Sequence, residues 1–129
     1  MLASARVILE VVAALITAGG LYDLLIPRLP LNLEVMCGES PTARKLAREL
    51  LRALGACLIA IGLTTETLVI TSKSPLPVRT LALVLLLVLP AELINATCMY
   101  RVGAPFYVPL ALALLALFSV ILLWPHHPF

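Results

Sequence analysis

The chain has 129 residues, 62% of them hydrophobic and 12% charged, with a mean hydropathy of +1.10. An ordinary soluble domain is about 25% charged, and a chain this short cannot hide so much apolar surface in an interior of its own. Composition therefore excludes a soluble domain and points to one integral membrane domain, while a formal net charge of +2 on scattered basic residues excludes a nucleic-acid surface.

Residues 7–26 form the first expected spanning helix, since twenty helical residues cover the roughly 30 Å hydrocarbon core. Arg6 before it invites a signal-peptide reading. The run is long for an h-region, however, and passes Gly19-Gly20 without a cleavage pattern, so it reads as a retained helix. Glu10 lies near its start, Tyr22 and Asp23 near its end, and Pro27 and Pro30 stop it.

Residues 27–40 read as a loop. Ser40-Pro41 then opens a helix, with serine capping free N–H groups and proline suiting the first turn. Its first turns are amphipathic and basic, with Arg44, Lys45, Arg48 and Arg52 expected at the headgroups. The same helix continues through the membrane to residue 71. Arg52, Gly55, Ile59, Gly62 and Glu66, spaced 3, 4, 3 and 4, fall on one face, and the small residues direct that face toward a neighbouring helix.

The polar turn 71–77 leads to a third helix over 78–100. It carries Pro90, where a kink or local opening is expected, followed by Glu92 and Asn95. After the turn 101–105, residues 106–124 run without a charge as a fourth helix. Four helices joined by short connections predict an all-α, antiparallel four-helix membrane bundle in one domain. Alternation puts both termini and the 71–77 turn on one side with Arg6, Lys73 and Arg79. Arg28, Arg44, Lys45, Arg48, Arg52 and Arg101 lie on the other. That bias predicts a multi-pass protein with loops 27–52 and 101–105 in the cytoplasm and both termini outside.

An ionisable residue in hydrocarbon costs from about 2.5 kcal/mol upward, so it marks a functional site by default. Glu92 and Asn95, three residues apart, share a face. With Asp23 they form the first candidate catalytic layer, joined by Tyr22, Arg52, Tyr100, Arg101 and Tyr107 as candidate ligand-binding residues. Glu66 and Glu10 form a second layer, with Lys73 or Arg79 as candidate partners. The alternative for the tyrosines is an interfacial belt, and for the charges structural pairing. A carboxyl group in such a place can donate a hydrogen bond to a ketone or quinone oxygen, protonate an alkene or open an epoxide, with Asn95 or a second carboxylate holding the developing charge. It can equally serve a proton-coupled binding site.

There is no HExxH, GxSxG, P-loop or GxGxxG, and the cysteines at 37, 57 and 98 are far apart, so no metal and no cofactor are expected. His126 and His127 read as an exposed tail pair. The expected partners are the bilayer and a lipophilic small molecule of quinone-, isoprenoid- or sterol-like character. A homo-oligomer or a membrane protein partner stays open.

The first helix ending at Pro27, the short connection and the run Arg52-Ala53-Leu54-Gly55-Ala56-Cys57-Leu58-Ile59-Ala60-Ile61-Gly62-Leu63 resemble the DoxX-like small four-helix membrane proteins, including their DUF4345 branch. That resemblance implies a four-helix membrane fold and, from one subfamily, quinone-coupled sulfur oxidation. The layout is also similar to the EXPERA fold of sterol isomerases, which implies membrane carboxylates stabilising a carbocation. Those sites are aromatic-rich, whereas this chain is 5% aromatic. Small multidrug transporters share four helices and a glutamate in the first, which Glu10 matches, but their Trp- and Gly-rich signature is missing. No catalytic residue transfers from any of these groups. The readings are a lipophile-binding module or accessory subunit, a membrane enzyme using carboxylates for isomerisation, cyclisation or epoxide opening, and a structural partner protein.

Overall fold

The computed structural model describes residues 2–125, which are all-helical, with no strand among them. Five helices follow in order: α1 (Leu2–Leu25), α2 (Leu31–Cys37), α3 (Pro41–Thr71), α4 (Val78–Arg101) and α5 (Tyr107–Leu123). α1, α3 and α4 are long and apolar enough to cross a membrane. α5, expected over 106–124, has 17 residues, about 25 Å at 1.5 Å per residue, which is at the short limit for a span. His126 and His127 lie outside the described residues.

Local chemistry sets the ends. Ser40 Oγ accepts the Ala43 N–H at 3.3 Å with Pro41 in the first turn, as the Ser-Pro pair predicts. α1 begins five residues before the expected start, because nothing in 2–6 opposes a helix. α2 falls inside the stretch expected to be a loop: Pro30 precedes it, and Gly38, at φ 58°, ends it in a conformation that only glycine adopts without strain. α4 runs as one continuous helix through Pro90, so the expected interruption does not end it. Pro90 and the Leu86 whose carbonyl it leaves free both lie on the outer face.

The closest packing is between α1 and α3. α1 runs antiparallel to α3, with Arg6 beside Val69 and Ile70, Ala13 and Thr17 beside Gly62, and Gly20 beside Gly55 and Ile59. α1 also packs on α5, α5 on α4 and α4 on α3, while the α1 and α4 backbones, like those of α3 and α5, stay more than 8 Å apart across the shared core. A β-carbon at Gly55 would stand 2.5 Å from the Gly20 carbonyl oxygen and 2.8 Å from the Leu24 nitrogen. One at Gly20 would stand 2.6 Å from the Gly55 oxygen. Backbone therefore lies against backbone along this seam. Where lipid replaces water as the surrounding medium, such close packing, rather than removal of apolar surface from water, holds helices together.

The buried stripe of α3 is Gly55, Leu58, Gly62, Thr65 and Val69. The expected face, Arg52-Gly55-Ile59-Gly62-Glu66, shares the two glycines but is rotated from it: Arg52 is exposed, and Ile59 and Glu66 are only half-buried. α3 must meet α4 as well as α1, so its most enclosed line falls to one side of the glycine contact. On α4 the stripe is Leu81, Val84, Val88, Glu92 and Ala96, a core line with a carboxylate where an apolar residue would be ordinary.

Candidate functional site

Glu92 is 2% exposed and is the only charged side chain among the buried residues of the described chain. The spacing from Val84 through Val88 to Glu92 and Ala96 puts it on the inward face of α4. It belongs to no ion pair among the described residues. Asn95, half-buried, lies one turn further along the same helix. A carboxyl group so enclosed, with an amide beside it, can offer a hydrogen bond or a proton to a polar atom of a lipophilic molecule.

Asp23 is half-buried on α1. Its β-carbon lies 3.1 Å from the position a β-carbon at Gly55 would take, so it sits at the α1–α3 seam. No Cα of α1 comes within 8 Å of one of α4, so Asp23 and Glu92 stand on helices across the core from each other. Tyr22, Tyr100 and Tyr107 are 65%, 68% and 65% exposed, facing outward at one end of the molecule. Tyr100 packs edge-on against Phe106 with ring centroids 5.3 Å apart, and Phe106 meets Tyr107 at 6.5 Å. Arg101 is exposed, and the exposed Arg52 donates to Glu49 at 3.1 Å. These five residues lie on the outer surface rather than in a shared interior site.

At the opposite end Arg6, which the sequence marks only as a flanking charge, binds Glu10 of the second layer but not Glu66. Its Nε lies 3.4 Å from Glu10 Oε1, and it donates to Ser74 Oγ at 2.8 Å and to the Val69, Ile70 and Ser72 carbonyls at 2.7, 3.3 and 3.3 Å. The last carbonyls of a helix have no intrahelical partner, so Arg6 closes the end of α3 with a fork of charge-assisted bonds. Arg6, and neither Lys73 nor Arg79, partners Glu10. The Arg6-Glu10 spacing of four was the available signal. Glu66 is half-buried, with Oε2 enclosed and without a hydrogen-bond partner, and the fully buried Thr65 and Ser119 hydroxyls are likewise unpartnered.

Two clefts flank these layers. A groove of about 910 Å³ lies at the Arg6 end, between the start of α1, the 74–78 turn and the end of α5, with Leu2, Ala3, Leu76 and Trp124 among its walls. A smaller one, of about 400 Å³, lies beside Tyr22, Leu25 and Pro27. Glu92 lines neither. No group of three or more His, Cys, Asp or Glu side chains converges as a metal site among the described residues. No protein-family model, curated protein or solved structure matches the chain.

Proposed function

We propose that this chain is an integral membrane four-helix bundle that binds or handles a lipophilic small molecule through Glu92, alone or as an accessory subunit. The observation that carries the reading is a carboxyl group 2% exposed, on the core line of an apolar helix, with no cation paired to it among the described residues. A structural charge would be expected to have an ion-pair partner. A ligand's polar head supplies the partner that Asn95 alone does not. In this reading the molecule reaches Glu92 from the bilayer between helices, and neither of the two clefts is lined by Glu92. In this reading α5 is the fourth span, both termini lie outside, and α2 with the start of α3 faces the cytoplasm.

The test compares wild type with Glu92→Gln, which keeps the shape of the side chain. Lipophilic compounds extracted from both purified proteins are identified by mass spectrometry, and decylubiquinone serves as a titration probe. A non-phospholipid compound enriched in wild type and lost in an equally stable Glu92→Gln protein supports the reading; identical extracts and identical titrations reject it.

A second site for the same function is favoured by the large apolar groove beside Arg6, which has the usual form of a ligand site, apolar walls with a few polar groups, here Arg6 and Ser74. Ala3→Trp fills that groove, and loss of the compound in this variant alone would move the function there. The acid–base enzyme has less support, because Asp23 and Glu92 stand on helices whose backbones are more than 8 Å apart.

A further inference from the structure

The loop-1 end of the molecule is built unlike the rest. Gly55 of α3 packs on Gly20 and Leu24 of α1, and α1 ends at Leu25, so residues 41–52 project past the end of α1. Twelve helical residues are about 18 Å of helix. α2 packs against this projection: Arg44 Nε donates to the Gly38 carbonyl at 2.8 Å and its guanidinium lies 3.9 Å from Glu34, while Asn32 Nδ2 donates to the Gly103 carbonyl at 3.0 Å. The unit is therefore tied both to α3 and to the turn before α5. Yet its apolar side chains look outward. Leu31 and Val35, one turn apart on α2, are both 72% exposed, and Leu46 and Leu50, one turn apart on α3, are exposed as well.

The charge around these apolar groups is unbalanced. Arg44 and Arg52 are matched by Glu34 and Glu49. Arg28, Lys45, Arg48 and Arg101 have no ion pair among the described residues, and Glu39 is the remaining carboxylate of the unit. Arg48 Nε is enclosed and without a hydrogen-bond partner. Apolar side chains interleaved with unmatched cations, outside a spanning helix, are the pattern that seats in a headgroup layer: the apolar groups enter the acyl boundary and the cations meet phosphates.

We propose that α2 and residues 41–52 form a docking surface for the anionic phospholipid headgroups of the leaflet from which α3 emerges. The proposal rests on the membrane-spanning reading above. α2 lies flat at the acyl boundary, Leu31 and Val35 seat it there, and Arg28, Lys45, Arg48 and Arg101 take the phosphates. Free inorganic phosphate cannot substitute, because it offers no acyl boundary to the leucines.

The full-length protein is carried in micelles containing phosphatidylcholine and phosphatidylglycerol, and native mass spectrometry counts the lipids that stay bound. Phosphatidylglycerol is expected to be retained in preference to phosphatidylcholine. That preference should fall about fivefold for each cation removed in Arg28→Gln, Lys45→Gln and Arg48→Gln, since each basic residue near an anionic surface contributes about 1 kcal/mol. Leu31→Gln with Val35→Gln should weaken retention of both lipids while the protein stays in the membrane. Equal retention of the two lipids by wild type would overturn the proposal, as would competition by inorganic phosphate alone. Cross-linking of Val35→Cys to a second copy would overturn it in favour of a protein interface. Release of wild type from membranes by alkaline carbonate would instead reject the membrane reading itself, and the proposal with it.

Discussion

The α1–α3 seam makes a prediction whose size can be worked from the structure. A β-carbon at Gly55 would stand 2.5 Å from the Gly20 oxygen, against about 3.4 Å for an ordinary contact, so a side chain there needs the two helices to part by about 0.9 Å. Both obstructing atoms, the Gly20 oxygen and the Leu24 nitrogen, belong to backbone and cannot rotate away. Extra methylenes in a packed core cost about 1–3 kcal/mol, and leucine adds four carbons, which puts Gly55→Leu at about 3 kcal/mol or more. The comparison is Gly19→Leu, where a β-carbon meets nothing within 4 Å. Both substitutions gain the same helix propensity, about 1 kcal/mol, so their difference isolates the contact. Far-UV circular dichroism melts in one detergent should show Gly19→Leu at or above the wild-type Tm and Gly55→Leu well below it. Equal melting of the two would refute backbone-to-backbone packing at this seam.

Arg6→Met keeps the aliphatic stem but removes the fork that holds Val69, Ile70 and Ser72. It should cost about 1.5–3 kcal/mol by the same melts, and unchanged melting would mean these bonds contribute nothing net. Thr65→Val and Ser119→Ala remove hydroxyls that are fully buried and unpartnered; an orphaned polar group costs about 1–3 kcal/mol, so each Tm should hold or rise, and a fall would show that a partner such as ordered water is present. In a cysteine-free background, Lys73→Cys should react with a membrane-impermeant thiol reagent from outside intact cells and Lys45→Cys should not, with the reverse pattern inverting the topology.

Much of the helical layout was legible in residues, because apolar runs of spanning length, the Ser40-Pro41 start and prolines at the ends are local signals. The glycines at 55 and 62 announced a close contact, but their partner did not: Gly20 reads as an ordinary glycine until α1 is laid antiparallel on α3. The rotation of the buried stripe toward Leu58, Thr65 and Val69 depends on where α4 sits, which spacing along one helix does not encode. α2 was missed because seven residues between prolines and a glycine carry too little periodicity to separate from loop. Glu92 stood out by type and depth, and its inward direction follows from the core line of α4. Nothing in the sequence says that the α1 and α4 backbones stand across the core from each other, or that Tyr22, Tyr100 and Tyr107 point outward.

The central claim is that Glu92 is kept in an apolar core to meet a lipophilic molecule. Its most direct measurement is decylubiquinone binding to wild type and Glu92→Gln, reconstituted in the same lipid and shown to melt alike. A carboxyl that donates to a quinone oxygen is neutral, and a neutral hydrogen bond contributes about 0.5–1.5 kcal/mol, so replacing its O–H by the weaker N–H donor of glutamine should weaken binding by up to roughly tenfold. Saturable binding that Glu92→Gln lowers by that factor is the predicted result. Binding that is absent from wild type, or identical in the two proteins while Ala3→Trp abolishes it, would contradict the claim and leave Glu92 a structural charge.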